Sequence, residues 1–152
     1  MIHSELFPYF FKINSDSKLT ITDIFNNNKI VAIIGLSNKP LRPSNRIGRY
    51  LLQNNFKVYG VNPNLGGQEI DGIKCFNSLS EVPEKIEIIN IFRKPEHLVQ
   101  VMEDILKLDE KPNIIWAQIG VINPVSKKMA EENQIEYIEN KCIMVEHDKL
   151  YN

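Results

Sequence analysis

The sequence predicts an α/β fold: a doubly wound parallel sheet of about five strands with helices on both faces. Three observations predict it. Short apolar runs of strand length, rich in Ile and Val, recur along the chain. Segments with helical spacing lie between them, and the connections are too long for hairpins. Alternating strands and helices joined by right-handed crossovers pair in parallel, which makes the expected fold Rossmann-like. Ligands of such sheets bind at the carboxyl ends of the strands, beside the first one. The loops that matter are therefore those after Gly35, Val61, Phe92 and Gln118.

Residues 1–18 show no clear period, and residues 1–27 read as an extension that packs on the domain or frays. Within it, Leu19–Asn26 suits a short helix. Residues 28–152 read as the domain. KIVAIIGL is mostly apolar and turns at Gly35, as a strand buried on both faces would. SNKPLRPS follows, with two prolines that cannot continue a ladder. Ser44 or Pro43 can open a helix over Asn45–Asn54, where Ile47, Tyr50 and Leu51 recur at helical spacing. FKVYGV is the second strand, ended by Asn62–Pro63 and a polar loop through Gly66–Gly67. GIKCF reads as a short extended piece, and Leu79–Val82 as a helical turn stopped by Pro83.

IEIINIF is the third main strand, with Pro95 suited to the first position of a helix. On that helix Leu98, Met102 and Ile105 form one stripe, with Val101 and Leu108 beside it. NIIWAQIG is the fourth strand, and Asn123–Pro124 a cap and first turn for a helix to about Asn133. IEYIE is a short fifth strand. The end, NKCIMVEHDKLYN, is expected to pack back on the sheet edge. No internal repeat or low-complexity linker argues for a second domain.

With 152 residues, 43% hydrophobic and 24% charged, the chain suits one ordinary globular core. No run of 18 apolar residues is present, so no membrane span is expected. The opening MIHSELFPYFFKINSDSK lacks the basic n-region and small-residue cleavage site of a secretory signal. Two cysteines, Cys75 and Cys142, are too few for a disulfide framework or a zinc site, which points to a reduced, cytoplasmic setting.

Charge is unevenly placed although the net value is −1. No acidic residue lies between Asp23 and Glu69, whereas Lys29, Lys39, Arg42, Arg46, Arg49 and Lys57 all do. The remaining twelve Lys/Arg face all 19 Asp/Glu. Such a stretch is either a solvated helix face or a positive field for an anion. Nucleic acid is disfavoured, because the rest of the chain is acidic and no aromatic residues interleave the basic ones. A small polyanion fits better.

Gly35-Leu36-Ser37 stands where a dinucleotide fingerprint would begin, but Ser37 replaces the second glycine of G-x-G-x-x-G. Backbone amides and a helix N-terminus there still suit a phosphate, with Lys39, Arg42 and the Ser37 and Ser44 hydroxyls adding hydrogen bonds. After the second strand the residues are Val61-Asn62-Pro63-Asn64. The carboxylate that would bind the ribose of NAD is missing, as is an Arg for NADP, so an NAD(P)-dependent oxidoreductase with an atypical phosphate loop is the weaker alternative.

Catalytic groups are sparse. His3, His97 and His147 lie far apart, and Cys142 with His147 reads as an edge cysteine near a surface histidine rather than a nucleophile and its base. Ser37 lies outside any G-x-S-x-G elbow. Cys75 and Trp116 read as core. Asn90 and Gln118, polar positions on buried strands, are either satisfied network members or ligand contacts.

VAIIGLSNKPLRPSNRIGRYL, VYGVNPN, FRKPE, IIWAQIGVIN and NKC, in that order over residues 28–148, resemble the stand-alone CoA-binding protein family. That family is related to the CoA-binding domain of the succinyl-CoA synthetase alpha subunit. The resemblance implies coenzyme A, free or acylated, lying across the strand ends. Gly35, Leu36 and Ser37, with the loop carrying Lys39, Pro40, Arg42, Pro43 and Ser44, would approach its phosphates. Val61, Asn62 and Pro63 would border the adenosine; Phe92, Arg93, Lys94 and Pro95 would line the next strand end. Gln118, Ile119 and Gly120 would face the pantetheine. The phosphorylated histidine and the nucleotide-grasp modules of the family's ligase relatives have no counterpart here, so the resemblance supports binding and leaves an activity undecided. A protein partner or a second copy of the chain remains open.

Overall fold

A computed structural model describes residues 19–152; the expected packing of residues 1–18 lies outside them. Thr20 caps the first helix, α1 (Ile21–Asn27), through a reciprocal box with Asp23. Strand β1 (Ile30–Ile34) follows, then helix α2 (Pro43–Gln53) and strand β2 (Lys57–Val61). Next come β3 (Glu69–Ile70), β4 (Ile73–Phe76), a 3-10 turn at Leu79–Glu81, and β5 (Ile88–Ile91). A 3-10 turn at Pro95–His97 leads into α3 (Leu98–Leu106), then β6 (Ile114–Ala117), α4 (Pro124–Glu132), β7 (Glu136–Glu139) and α5 (Ile143–Tyr151).

The sheet has the order β3-β4-β2-β1-β5-β6-β7, parallel except for the β3–β4 pair. The doubly wound expectation holds. Strand β1 is central, and the chain reverses its direction across the sheet between β1 and β5. Alternation along β1 sends Val31 and Ile33 to one face and Ala32 and Ile34 to the other. The first face packs Phe25 of α1, Ile47 and Leu51 of α2, and Ile143 of α5. The second packs Leu98, Met102 and Ile105 of α3 and Ala130 of α4. Among the described residues no helix is long and apolar enough to cross a membrane.

Three expectations need correction. The sheet has seven strands, because GIKCF is a full parallel strand and Glu69–Ile70 adds an antiparallel edge. One connection is a hairpin: Asp71 and Gly72 both take positive φ, 51° and 87°, as a two-residue primed turn requires. The C-terminal segment is a helix laid on the α1–α2 face rather than on the sheet edge.

That helix also reverses the reading of His147, which is 5% exposed. Its ring meets Phe25 and Phe56 edge-on and stacks on Tyr151, and its Nδ1 is 2.8 Å from the Tyr50 hydroxyl. Trp116 is core as expected; it stacks on Phe25 at 5.7 Å and donates from Nε1 to the Lys141 carbonyl. Cys75 is buried too, and burial pushes its thiol pKa up.

Candidate functional site

The carboxyl ends of β2, β1 and β5 are drawn together at Gly35. Its N–H donates to the Val61 carbonyl at 2.9 Å, and the Phe92 N–H donates to the Ile34 carbonyl at 2.9 Å. Gly35 has φ 89°. That angle favours glycine, and the missing side chain lets the Phe92 backbone close in.

From Gly35 the chain enters a loop braced mainly by its own polar groups. The Leu36 side chain is buried in the core, while its carbonyl accepts from Asn62 Nδ2 at 2.9 Å. The Ser44 hydroxyl oxygen accepts the Ser37 N–H, and the Ser37 hydroxyl oxygen accepts the Lys39 N–H, both at 3.0 Å. Asn45, 1% exposed, donates from Nδ2 to the Ser37 carbonyl and to Asp71 Oδ2. Arg49 bonds Asn45 Oδ1 and the Pro40 carbonyl. Helix α2 then opens at Pro43, with Arg42 at the N-cap and no side chain capping it. The positive end of the helix dipole is left facing the loop.

Two cavities flank Gly35. One, of about 410 Å³, is walled by Ser37, Lys39, Arg42, Pro43, Ser44 and Phe92. The other is a cleft of about 660 Å³. One wall of the cleft is neutral and rich in hydrogen-bonding groups: Asn62 and Asn64 after β2, and Asn77, Ser78 and Ser80 after β4. Facing it are Arg93 after β5 and a stripe along the α3 segment made by His97, Gln100, Val101, Asp104 and Lys107. The carboxylate missing after β2 has no substitute there. Among the described residues the only one lining the cleft is Asp104, which accepts from Gln100 Nε2 at 3.2 Å. Lys39, Arg42, Arg93 and Lys107 form no ion pair among the described residues.

Of the residues singled out from sequence, Gly35, Ser37, Lys39, Arg42, Pro43, Ser44, Val61, Asn62, Pro63, Phe92 and Arg93 line one cavity or the other. Leu36, Pro40, Lys94, Gln118 and Gly120 line neither. Gln118 is buried and donates from Nε2 to Asn90 Oδ1 at 2.6 Å, while the buried Asn90 Nδ2 has no hydrogen-bond partner among the described residues. Gly120 donates its N–H to Asn140 Oδ1. Sequence reasoning missed Asn77, Ser78, Ser80 and the polar stripe on α3. The stripe is legible in retrospect, since 97, 100, 101, 104 and 107 recur at helical spacing beside the core positions 98, 102 and 105. No group of three or more His, Cys, Asp or Glu among the described residues could hold a metal ion.

Residues 29–148 match the family model described as a CoA binding domain. The chain is 33% identical over 135 residues to the uncharacterized protein YneT of Bacillus subtilis, covering 89% of this chain and 97% of that one. It is similar to the solved structure of the cell-free ID.343 protein of Thermus thermophilus, with TM-score 0.82 and 29% identity over 88% of this chain and all of that one. A dinucleotide-forming acetyl-coenzyme A synthetase of Ca. Korarchaeum cryptofilum, in its apo form, matches with TM-score 0.61 and 25% identity over 74% of this chain but only 26% of its own.

Proposed function

The chain belongs to the CoA-binding domain family, and from that premise we propose that it binds coenzyme A or an acyl-CoA as a non-catalytic module, a sensor or carrier. The observation that carries the proposal is the pair of cavities meeting at Gly35. Coenzyme A is a nucleotide with a diphosphate at one end of its ribose. The uncapped N-terminus of α2, with Lys39 and Arg42 unpaired beside it, offers amide hydrogens and positive charge to the diphosphate. The neutral wall of Asn62, Asn64, Asn77 and Ser78 offers donors and acceptors to the base and sugar. Phe92, on the α2 side of Gly35, gives the pantetheine an apolar surface on which to leave the site.

A binding role without chemistry draws support from the inventory. His147 is walled in by aromatic rings, and Cys75 is buried. His97, in the cleft, has Glu96 at 3.7 Å and no nucleophile hydrogen-bonded to it. Two free cysteines agree with a reducing, cytoplasmic setting.

Thermal unfolding with coenzyme A, acetyl-CoA, NAD and NADP tests the proposal. Ligand at a hundred times its dissociation constant stabilises the native state by about 2.7 kcal/mol, a rise of about 5–10 °C for a chain of this size. A rise with coenzyme A or its thioester supports the proposal. A rise with NAD or NADP alone, or none with any ligand, overturns it.

A further inference from the structure

We infer that Arg93 receives a phosphate on the ribose of the bound nucleotide, so that the site selects 3′-phosphorylated adenosine diphosphates over other adenine nucleotides. The inference deepens the coenzyme A reading and rests on it. Each cavity at Gly35 has its own cations. Lys39 and Arg42 stand with the α2 N-terminus, and backbone amides with a helix dipole are what a diphosphate uses. Arg93 stands across the cleft from the neutral wall proposed for base and sugar. A nucleoside held between the two sets has an anion-binding group on either side.

The cleft is not uniformly positive. Asp104 lies seven residues beyond His97, about 10 Å along the helix axis, and Lys107 is at the same far end. That end is charge-balanced, whereas at the end near Gly35 the cleft lining carries Arg93 and no carboxylate, the nearby Glu96 pairing with His97 at 3.7 Å outside that lining. Arg93 is exposed and makes no ion pair or hydrogen bond among the described residues, so its guanidinium is free to close on an anion. A ribose with free hydroxyls would instead want a carboxylate after β2, where Asn62-Pro63-Asn64 stands.

Calorimetric titration of the whole chain with coenzyme A, dephospho-CoA and adenosine 3′,5′-bisphosphate tests the assignment. The parent protein is expected to prefer coenzyme A over dephospho-CoA by about tenfold or more, the scale of one charge-assisted contact. Arg93→Ala should bring that ratio near one, hold the dephospho-CoA affinity within about twofold, and lose binding of the bisphosphate. A Lys39→Ala/Arg42→Ala variant should weaken coenzyme A and dephospho-CoA by similar factors and keep their ratio. The inference is overturned if the parent binds both alike, or if Arg93→Ala weakens both alike, and in either case the coenzyme A reading survives. If the parent binds neither, both fall.

Discussion

A β-carbon built on Gly35 would stand 2.3 Å from the carbonyl oxygen of Phe92. The obstacle is backbone, which cannot swing aside, and φ is already 89°. Gly35→Ala therefore combines a left-handed backbone with a clash between the ends of two central strands. A loss of about 3 kcal/mol in urea unfolding is expected, and nucleotide binding should be weakened even where the variant is folded. Gly67→Ala is the control: φ is 83° but nothing lies within 4 Å of its β-carbon, so strain alone should cost about 1 kcal/mol. Equal losses at the two glycines would show that the Phe92 approach is unimportant.

His147 makes stability depend on pH in a definite direction. Burial lowers its pKa first and the Lys29 charge lowers it further, with Asp148 opposing. The folded state thus resists a proton that the unfolded chain accepts from about pH 6.5 downward. The stabilising contribution is complete above that value and is lost as pH falls toward the depressed folded pKa. His147→Gln removes the titrating ring, so between pH 7.5 and 5.5 the variant should lose less unfolding free energy than the parent. Parallel losses would mean that His147 protonates without cost to the fold.

Tyr137 gives the complementary behaviour in alkali. Burial, and then the Glu139 carboxylate, push its pKa up to about 12. An unfolded tyrosine ionises near pH 10, so the folded state keeps a proton that the unfolded state gives up. The stability it contributes is full below about pH 10 and is lost as pH rises toward 12. Spectrophotometric titration should show a late phenolate step that Tyr137→Phe removes; an unchanged late step would assign it to another tyrosine.

Much of this was legible because the central strands are rich in Ile and Val and largely buried, and because glycine, proline and asparagine follow them where the cavities lie. Gly35, Asn62 and Phe92 could be placed on that ground alone. The β3–β4 hairpin was not, since a two-residue strand has no period, although the Asp71-Gly72 pair was a usable turn signal. Helix α5 was hidden because its inward face, Ile143 and His147, has a histidine where an aliphatic side chain would announce a core face. The cleft wall on α3 was hidden for the opposite reason. His97, Gln100, Asp104 and Lys107 have the composition of an ordinary solvated face, and only the sheet's reversal between β1 and β5 turns it toward the cleft.

Asn45 ties the loop after Gly35 to an element far away in sequence. Its amide donates to the Ser37 carbonyl at 3.0 Å and to Asp71 Oδ2 at 3.2 Å, and its Oδ1 accepts from Arg49 Nε at 2.8 Å. Asp71 sits in the β3–β4 turn, so the hairpin and the loop share one buried side chain. Asn45→Ala should cost about 2–3 kcal/mol of stability, because buried partners are left unpaired. Asp71→Ala breaks only the outer bond, at a part-buried position that water can reach, and should cost about 1 kcal/mol. If the brace holds the loop in its binding shape, Asn45→Ala should also weaken coenzyme A in calorimetry at a temperature where the variant is fully folded, whereas Asp71→Ala should change affinity less than about threefold. An Asn45→Ala protein that loses stability yet binds as the parent does would show that the ligand itself can order the loop.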